Sequence, residues 1–567
     1  MAPRTDLTIV RDPDEVGQTA TLGRLRLRHV DTNEIILIPT PSNDPNDPLN
    51  WGKRYRVYLA IVVCLAMLMC NFLAAGPTVA IVQVALTFKG VAPTSPTFSA
   101  AISSVAYFFT TTALAQGVGN LFWMPLILKF GRRPMYLISF TGYFAVTLWA
   151  GFAQSYASEL VARIFMGFFS GTGECLAPLT ISDIFFLHER GLFMAMYTAS
   201  LSAGVSGGII ISGLITIKHS WRKIHFVAAA IIGALLILVF LTFPETAFSR
   251  RPVEVARAGD RRSDSHIGRR ISEDKGKSTY DSHNEIVMQS VLPCSANELT
   301  GHENATMNPK KSASRRLAIF SGTFVQESYW KMFYRPVVLL VLPGILWATL
   351  VMSVTIGFLV AISSNFASAF SEAYGFAPWQ AGLCFVSGFI GTMLGIFFGG
   401  TLSDAVADFF TRRNGGIRLP EMRLPAITIG LIYSPVALVL YGVGIDQKLH
   451  WMVPTIGLGL LSFAVAQATN VSVVYVIDSY RPIAGETVVT QLAFKSCFGF
   501  LLSFYTNPWI AQSGYAAAFG EMAAISGGVL LLWIPFYMFG HKIRQATLRW
   551  HVLTHLIGWS QDREVGE

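Results

Sequence analysis

Three ionisable residues, Arg163, Glu174 and Lys495, sit in stretches of the chain that are otherwise apolar. A charge in such a setting is costly unless it is paired or wet, so each is a candidate working group. Arg163 and Glu174 are eleven residues apart. On a helix, at about 100° per residue, that is three turns plus about 20°, so both side chains leave one face, roughly 16 Å apart along the axis. An arginine and a carboxylate bordering one wet cavity can hold a solute or relay a proton. Each can equally serve a fixed ion pair with another helix. Lys495 can neutralise a carboxylate such as Glu174 across an interface, line the same cavity, or snorkel to its edge.

The elements that must position these charges are long apolar runs. A bilayer core of roughly 30 Å takes about 20 apolar residues of helix per crossing. Twelve runs qualify, at 55–76, 99–123, 134–153, 157–180, 192–217 and 223–243, then 337–363, 379–403, 424–444, 452–477, 487–510 and 517–540. Composition agrees: 52% of the chain is hydrophobic and 14% charged, against about 25% charged in a soluble chain. The mean hydropathy is +0.48. The 49 glycines suit helices that pack closely in lipid. The expected fold is an all-α membrane protein of two six-helix bundles, 55–243 and 337–540. A polar linker at 244–336 joins them, with tails at 1–54 and 541–567.

The net charge of +9 is distributed as a membrane protein's, not as a nucleic-acid binder's. Short loops on one side carry Lys129, Arg132, Arg133, Arg190, Arg412, Arg413, Arg418, Arg423 and Arg481. The other side carries Lys89, Lys218, Arg222, Lys223 and Lys448. The positive-inside rule puts the first set, both tails and the linker in the cytoplasm. Trp51, Tyr55, Tyr334, Trp451, Trp509 and Tyr537 near span ends fit an aromatic belt. The first 50 residues, with Arg24, Arg26 and Arg28, read as a cytoplasmic tail without a cleavable signal. Five cysteines lie in spans and Cys294 in the linker, which is no disulfide framework. The sequons at Asn304 and Asn470 are expected to stay bare. The linker between Ser249 and Arg335 reads as largely disordered, and Arg269 to Ser272 resembles a basophilic kinase site.

Two bundles about a midplane site make a secondary transporter that works by alternating access. No phosphate loop and no zinc motif occurs. An enzyme, a metal site and a cofactor are therefore not expected.

Short motifs narrow the class. Gly119 to Pro134 ends in Lys129-Phe130-Gly131-Arg132-Arg133-Pro134, which resembles the loop signature of the major facilitator superfamily. The resemblance implies that Gly131, Arg132 and Arg133 form a cytoplasmic gate. That family usually carries an acid three residues before the glycine; here it is Leu128, so the gate lacks that ion pair. The second half repeats the theme in Gly399 to Asp404 and, 280 residues after the first pair, in Arg412 and Arg413. Asp404, Arg412 and Arg413 are the expected counterpart gate. Asp47 to Trp51, Phe185 to Gly191, Pro244 to Thr246, Arg412 to Leu424 and Asp478 to Pro482 resemble segments of a fungal twelve-span drug:proton antiporter-like branch, which includes polyamine and histidinol permease-like members. Arg163 resembles that family's span-4 arginine, linked there to proton transfer. Asn71, Gln467 and Asn470 fall in spans that line the family's cavity, though helix-to-helix hydrogen bonds explain them as well.

Glycines at 167 and 171 share a helix face with Arg163 and permit close packing. Span 5 reads Ala203-Gly204-Val205-Ser206-Gly207-Gly208 where family antiporters have Gly-Pro-x-x-Gly-Gly. Gly204, Gly207 and Gly208 are expected packing positions, while the proline kink is lost. The resemblance implies a proton-coupled transporter of a small organic solute, export of a toxic compound or metabolite coming first, with Glu174 as the titrating carboxylate. Uptake of a cationic nutrient such as a polyamine is the alternative, and a transporter-like nutrient sensor a more distant one. The expected partners are the solute, protons and the lipid bilayer, for a monomer in the plasma membrane or, alternatively, the vacuolar membrane.

Overall fold

The computed structural model describes residues 41–42, 44–90, 98–248, 312–414, 419–480, 483–548 and 550. The first 40 residues, Arg269 to Ser272, Cys294, Asn304, Arg418, Arg481 and the end of the C-terminal tail lie outside the described residues, and so do the expectations made for them.

The described residues are helical, without a strand. In the N-terminal half, α1 is Lys53–Ala75, α2 Phe98–Phe130, α3 Arg132–Phe152, α4 Tyr156–Ile184, α5 Leu187–Ile215 and α6 Arg222–Thr242. In the C-terminal half, α7 is Pro343–Tyr374, α8 Pro378–Phe397, α9 Thr428–Asp446 and α10 Met452–Ser479. A last helical stretch, Ala484–Leu531, is broken at Gly514, whose φ of +80° no helix accommodates. It divides into α11 (484–513) and α12 (515–531), the latter followed by a helix at Trp533–Leu548.

Several boundaries differ from those read in the sequence. Span 7 begins at Pro343, because the helix breaks over Leu340 to Leu342, where Leu342 is extended, and proline is favoured in a first helical turn. The residues before it form a separate amphipathic helix, Tyr329–Leu339. Span 2 extends to Phe130, and span 8 continues through a π-turn at Phe398–Leu402 into a helix at Ser403–Arg413.

Among the described residues, ten helical stretches are long and apolar enough to cross a membrane. The twelve crossings are completed by α2, 33 residues long and studded with Ser and Thr, and by the break at Gly514. Both halves form one compact unit. Within it α5 packs on α8, and α2 on α11, across the boundary between the halves. The turn at Gly131 marks one end of the molecule, and Gly90, at the close of the short helix Ile81–Lys89, lies toward the other.

Glycines set the closest approaches. A Cβ on Gly171 would stand 2.6 Å from the Gln116 carbonyl of α2, and one on Gly208 2.7 Å from the Phe72 carbonyl of α1. Gly167 and Gly204 make similar contacts with Thr112 and Leu68. Gly207 does not: nothing lies within 4 Å of its missing Cβ. It stands about 100° round the helix from Gly208, away from α1. The expectation of a packing role for Gly207 is corrected accordingly.

Candidate functional site

Helix α4 carries the deep carboxylate. Its N-cap is Ser155, and Gly167 and Gly171 let it lie hard against α2. That contact brings Asn120 of α2 alongside Glu174, with Asn120 Nδ2 donating to Glu174 Oε2 at 3.0 Å. From the other half, Lys495 of α11 donates to Glu174 Oε1 at 2.9 Å. The carboxylate is fully buried and the lysine side chain 8% exposed. Next to the pair, Gly117 lets α2 approach Ala493 and Ser496 of α11. Glu174 thus takes one partner from its own bundle and one from the opposite bundle.

One helical turn farther toward the Gly131 end stand Pro178 on α4 and Gln491 on α11. Both line one cavity. Pro178 has no N–H for the Glu174 carbonyl, so the helix loses one internal bond at the site. The cavity lies between the halves. Met194, Tyr197, Thr198, Leu201 and Ser202 of α5 form one wall. Met352, Ile356, Val465, Ala466, Thr469, Val473, Ile477, Val488 and Leu492 form the other. None of its lining residues is ionisable apart from the Tyr197 phenol. Three of its polar side chains have no hydrogen-bond partner: Tyr197 Oη, Thr469 Oγ1, and both amide atoms of Gln491.

Arg163 does not join Glu174. It lies nearer the Gly90 end, where Nε donates to Glu159 Oε1 at 2.8 Å, Nη1 to the Leu73 carbonyl at 3.3 Å, and Nη2 meets His225 Nε2 at 3.1 Å. Arg163 and Glu159 border a second cavity with Pro77, Thr78 and Phe109. The two residues share a helix face as their spacing predicts, but their partners differ. Glu159 and His225 carried no signal in the sequence beyond being polar residues near span ends.

The three amides read as cavity candidates are not among the residues that line this cavity. Asn71 donates to the Met67 carbonyl of its own helix, 3.1 Å away. Gln467 donates at 2.7 Å to the Ala426 carbonyl in the 3-10 turn ahead of α9. Asn470 is buried near Gly400. On α10 the cavity wall is made by Ala466 and Thr469 instead.

At the Gly131 end the charged residues staple helix ends. Gly131 has a φ of +94°, and a Cβ there would stand 2.5 Å from Glu245 Oε2. Glu245 accepts from the Arg132 and Arg133 backbone N–H groups at 2.8 and 3.1 Å, which caps α3. Arg132 Nε sits 2.9 Å from Asp183 at the end of α4. Arg133 donates to the Phe240 and Phe243 carbonyls closing α6. The acid missing at Leu128 is therefore supplied by Asp183 and Glu245. In the second half Asp404 meets Arg423 at 2.8 Å, and Arg423 also approaches Asp478. Arg412 and Arg413 are exposed, with Arg413 over the Phe409 ring. Arg423, read in the sequence only as a loop charge, occupies the place expected for that pair.

A strap crosses the boundary at the same end. Phe324 N–H donates to the Lys129 carbonyl, and Tyr329 Oη to the Phe122 carbonyl, both on α2. Arg335 pairs with Glu486 of α11 at 2.5 Å, and Thr490 donates to the Pro336 carbonyl.

The model of the Major Facilitator Superfamily matches residues 98–503. An uncharacterised MFS-type transporter of Schizosaccharomyces pombe is 24% identical over 91% of this chain and 89% of its own length. Protein HOL1 of Saccharomyces cerevisiae is 24% identical over 91% and 92%. Among solved structures, the xylose transporter XylE from E. coli matches with a TM-score of 0.55 at 13% identity, covering 85% of this chain and 99% of that one. The human organic anion transporter MFSD10 matches at 0.54 and 14% identity, covering 85% and 99%. Two six-helix halves, a cavity between them and a family match spanning both lead to one assignment: the chain is a membrane transporter of the Major Facilitator Superfamily.

Proposed function

We propose that this transporter exports a small, amphipathic organic solute in exchange for protons, with Glu174 as the coupling carboxylate. The observation that carries the reading is the Glu174–Lys495 pair, which joins the two bundles beside the inter-bundle cavity. While Glu174 is ionised, parting α4 from α11 strands two opposite charges in a poorly solvated interface, which is strongly unfavourable. Protonating Glu174 removes one of those charges and releases Lys495. The bundles then separate at lower cost on the proton-bearing leg of the cycle, while on the other leg the solute, lodged beside the pair, offsets the cost of parting them.

The apolar walls support export over nutrient uptake. A solute that fits them is itself apolar enough to cross a bilayer unaided, so a cell needs a carrier to remove it rather than to admit it. A cationic nutrient would call for a carboxylate open to the cavity, and the one present is already neutralised by Lys495. In this reading the Gly131 end, with its arginines, faces the cytoplasm, and the plasma membrane is the site of action.

The test is retention of radiolabelled compounds in cells expressing the chain, with and without a proton uncoupler. Lower accumulation of a neutral amphipath, abolished by the uncoupler and by Glu174→Gln, supports export. Higher accumulation with the same sensitivities makes the protein an uptake symporter instead.

A further inference from the structure

The cavity wall contains an unpartnered polar group. Gln491 is fully buried, yet neither its amide oxygen nor its amide nitrogen has a hydrogen-bond partner. Tyr197 Oη and Thr469 Oγ1, on two other helices facing the same space, are also without one. Buried polar groups are ordinarily satisfied, and an empty set converging on one cavity is what a bound solute would complete.

We propose that the cavity selects a neutral, amphipathic solute carrying a cyclic amide or imide, read edge-on by Gln491. This rests on the reading of the cavity as the solute path. A glutamine amide presents one donor and one acceptor side by side in a plane. Its complement is an acceptor beside a donor on one edge. A cis amide held in a ring has that edge, whereas an open trans amide puts its N–H and C=O on opposite sides. Neutrality follows from the surroundings: no lining side chain carries a charge to match an ion, and Glu174 and Lys495, one turn away, compensate each other. An ion brought here would lose its hydration without replacement. Tyr197 and Thr469 supply further bonds to ring substituents. The methionines at 194 and 352 and the side chains of Leu201 and Val465 accommodate an apolar flank.

The experiment uses the full chain in lipid nanodiscs and measures binding calorimetrically. The probes are the cyclic dipeptide cyclo(Leu-Phe), its N,N′-dimethyl analogue, spermidine and benzoate. The expected result is binding of cyclo(Leu-Phe), with at least tenfold weaker binding of the dimethyl analogue and no competition from spermidine or benzoate. Gln491→Met is expected to weaken cyclo(Leu-Phe) about tenfold, and Tyr197→Phe and Thr469→Val each roughly two- to fivefold. Should Gln491→Met fail to fold, the two hydroxyl deletions decide the matter alone. Equal affinity for the dimethyl analogue, insensitivity to all three substitutions, no binding of cyclo(Leu-Phe), or competition by spermidine would each overturn the proposal. Gln491-dependent binding without transport would overturn the exporter reading and leave this one standing. Proton-coupled export of a solute against which cyclo(Leu-Phe) neither binds nor competes would do the reverse.

Discussion

Lys495 Nζ lies 2.9 Å from Glu174 Oε1 although 321 residues separate them, and the contact joins the two bundles of the molecule. Neither charge has bulk water to fall back on. Removing one partner leaves the other buried and uncompensated, at a cost of about 3–5 kcal/mol. Glu174→Gln and Lys495→Met are each expected to lower thermal stability in detergent by that amount. The double substitution is expected to cost clearly less than the two singles together, as contacting residues couple. Singles that cost under about 1 kcal/mol would show that the pair contributes little to the resting state.

Adjacent glycines in α5 are expected to behave oppositely. Gly208→Ala forces a methyl against the Phe72 carbonyl, 2.7 Å from where it would sit, and should destabilise by about 1–3 kcal/mol. Gly207→Ala meets open space and adds helix propensity, for a gain of up to about 1 kcal/mol. Thermal unfolding of the two variants side by side checks the sign of each.

The strap at Tyr329–Leu339 touches α2 through Tyr329 and α11 through Arg335. Opening between those helices must break one attachment. Arg335→Ala is therefore expected to favour the state open at the Gly131 end. A loss of about 1.4 kcal/mol from the closed state raises the open population about tenfold. The readout is the rate at which a hydrophilic maleimide labels Thr469→Cys in a cysteine-free background. An unchanged rate would mean that the strap rides with one bundle only.

Asp183 takes the place of the acid that α2 lacks at Leu128. Asp183→Asn keeps the side-chain shape but removes the charge opposite Arg132. It is expected to reduce transport and to leave Glu245→Gln with a smaller additional effect, because both act on the start of α3. Initial rates of solute efflux for the single and double variants test this; fully additive losses would separate the two roles.

The membrane crossings were legible in the chain because a bilayer demands long apolar runs and tolerates little else. Glycine-arginine-arginine-proline after α2 was legible because a turn needing φ of +94° can take little but glycine. The Glu174–Lys495 contact was open to anticipation since two opposite buried charges must find partners. What the linear pattern did not carry was rotation of helices about their axes. Gly207 and Gly208 are identical letters with different neighbours. Asn71 and Gln467 donate to carbonyls rather than lining the cavity, and Gln491, which does line it, looks in the sequence like any polar residue in a span. Arg423 gained its place from the fold of the turn ahead of α9, which spacing alone does not specify.

The mutual cancellation of Glu174 and Lys495 has an electrical consequence. If the exchange proposed above holds, a cavity whose fixed charge sums to zero, carrying a neutral solute out and a proton back, moves one net positive charge inward per proton returned. Such a cycle draws on voltage as well as on the pH gradient, at about 2.3 kcal/mol per 100 mV. Export would then persist at equal pH on the two sides while the membrane stays polarised, and it would generate a current carrying the sign of the returning proton.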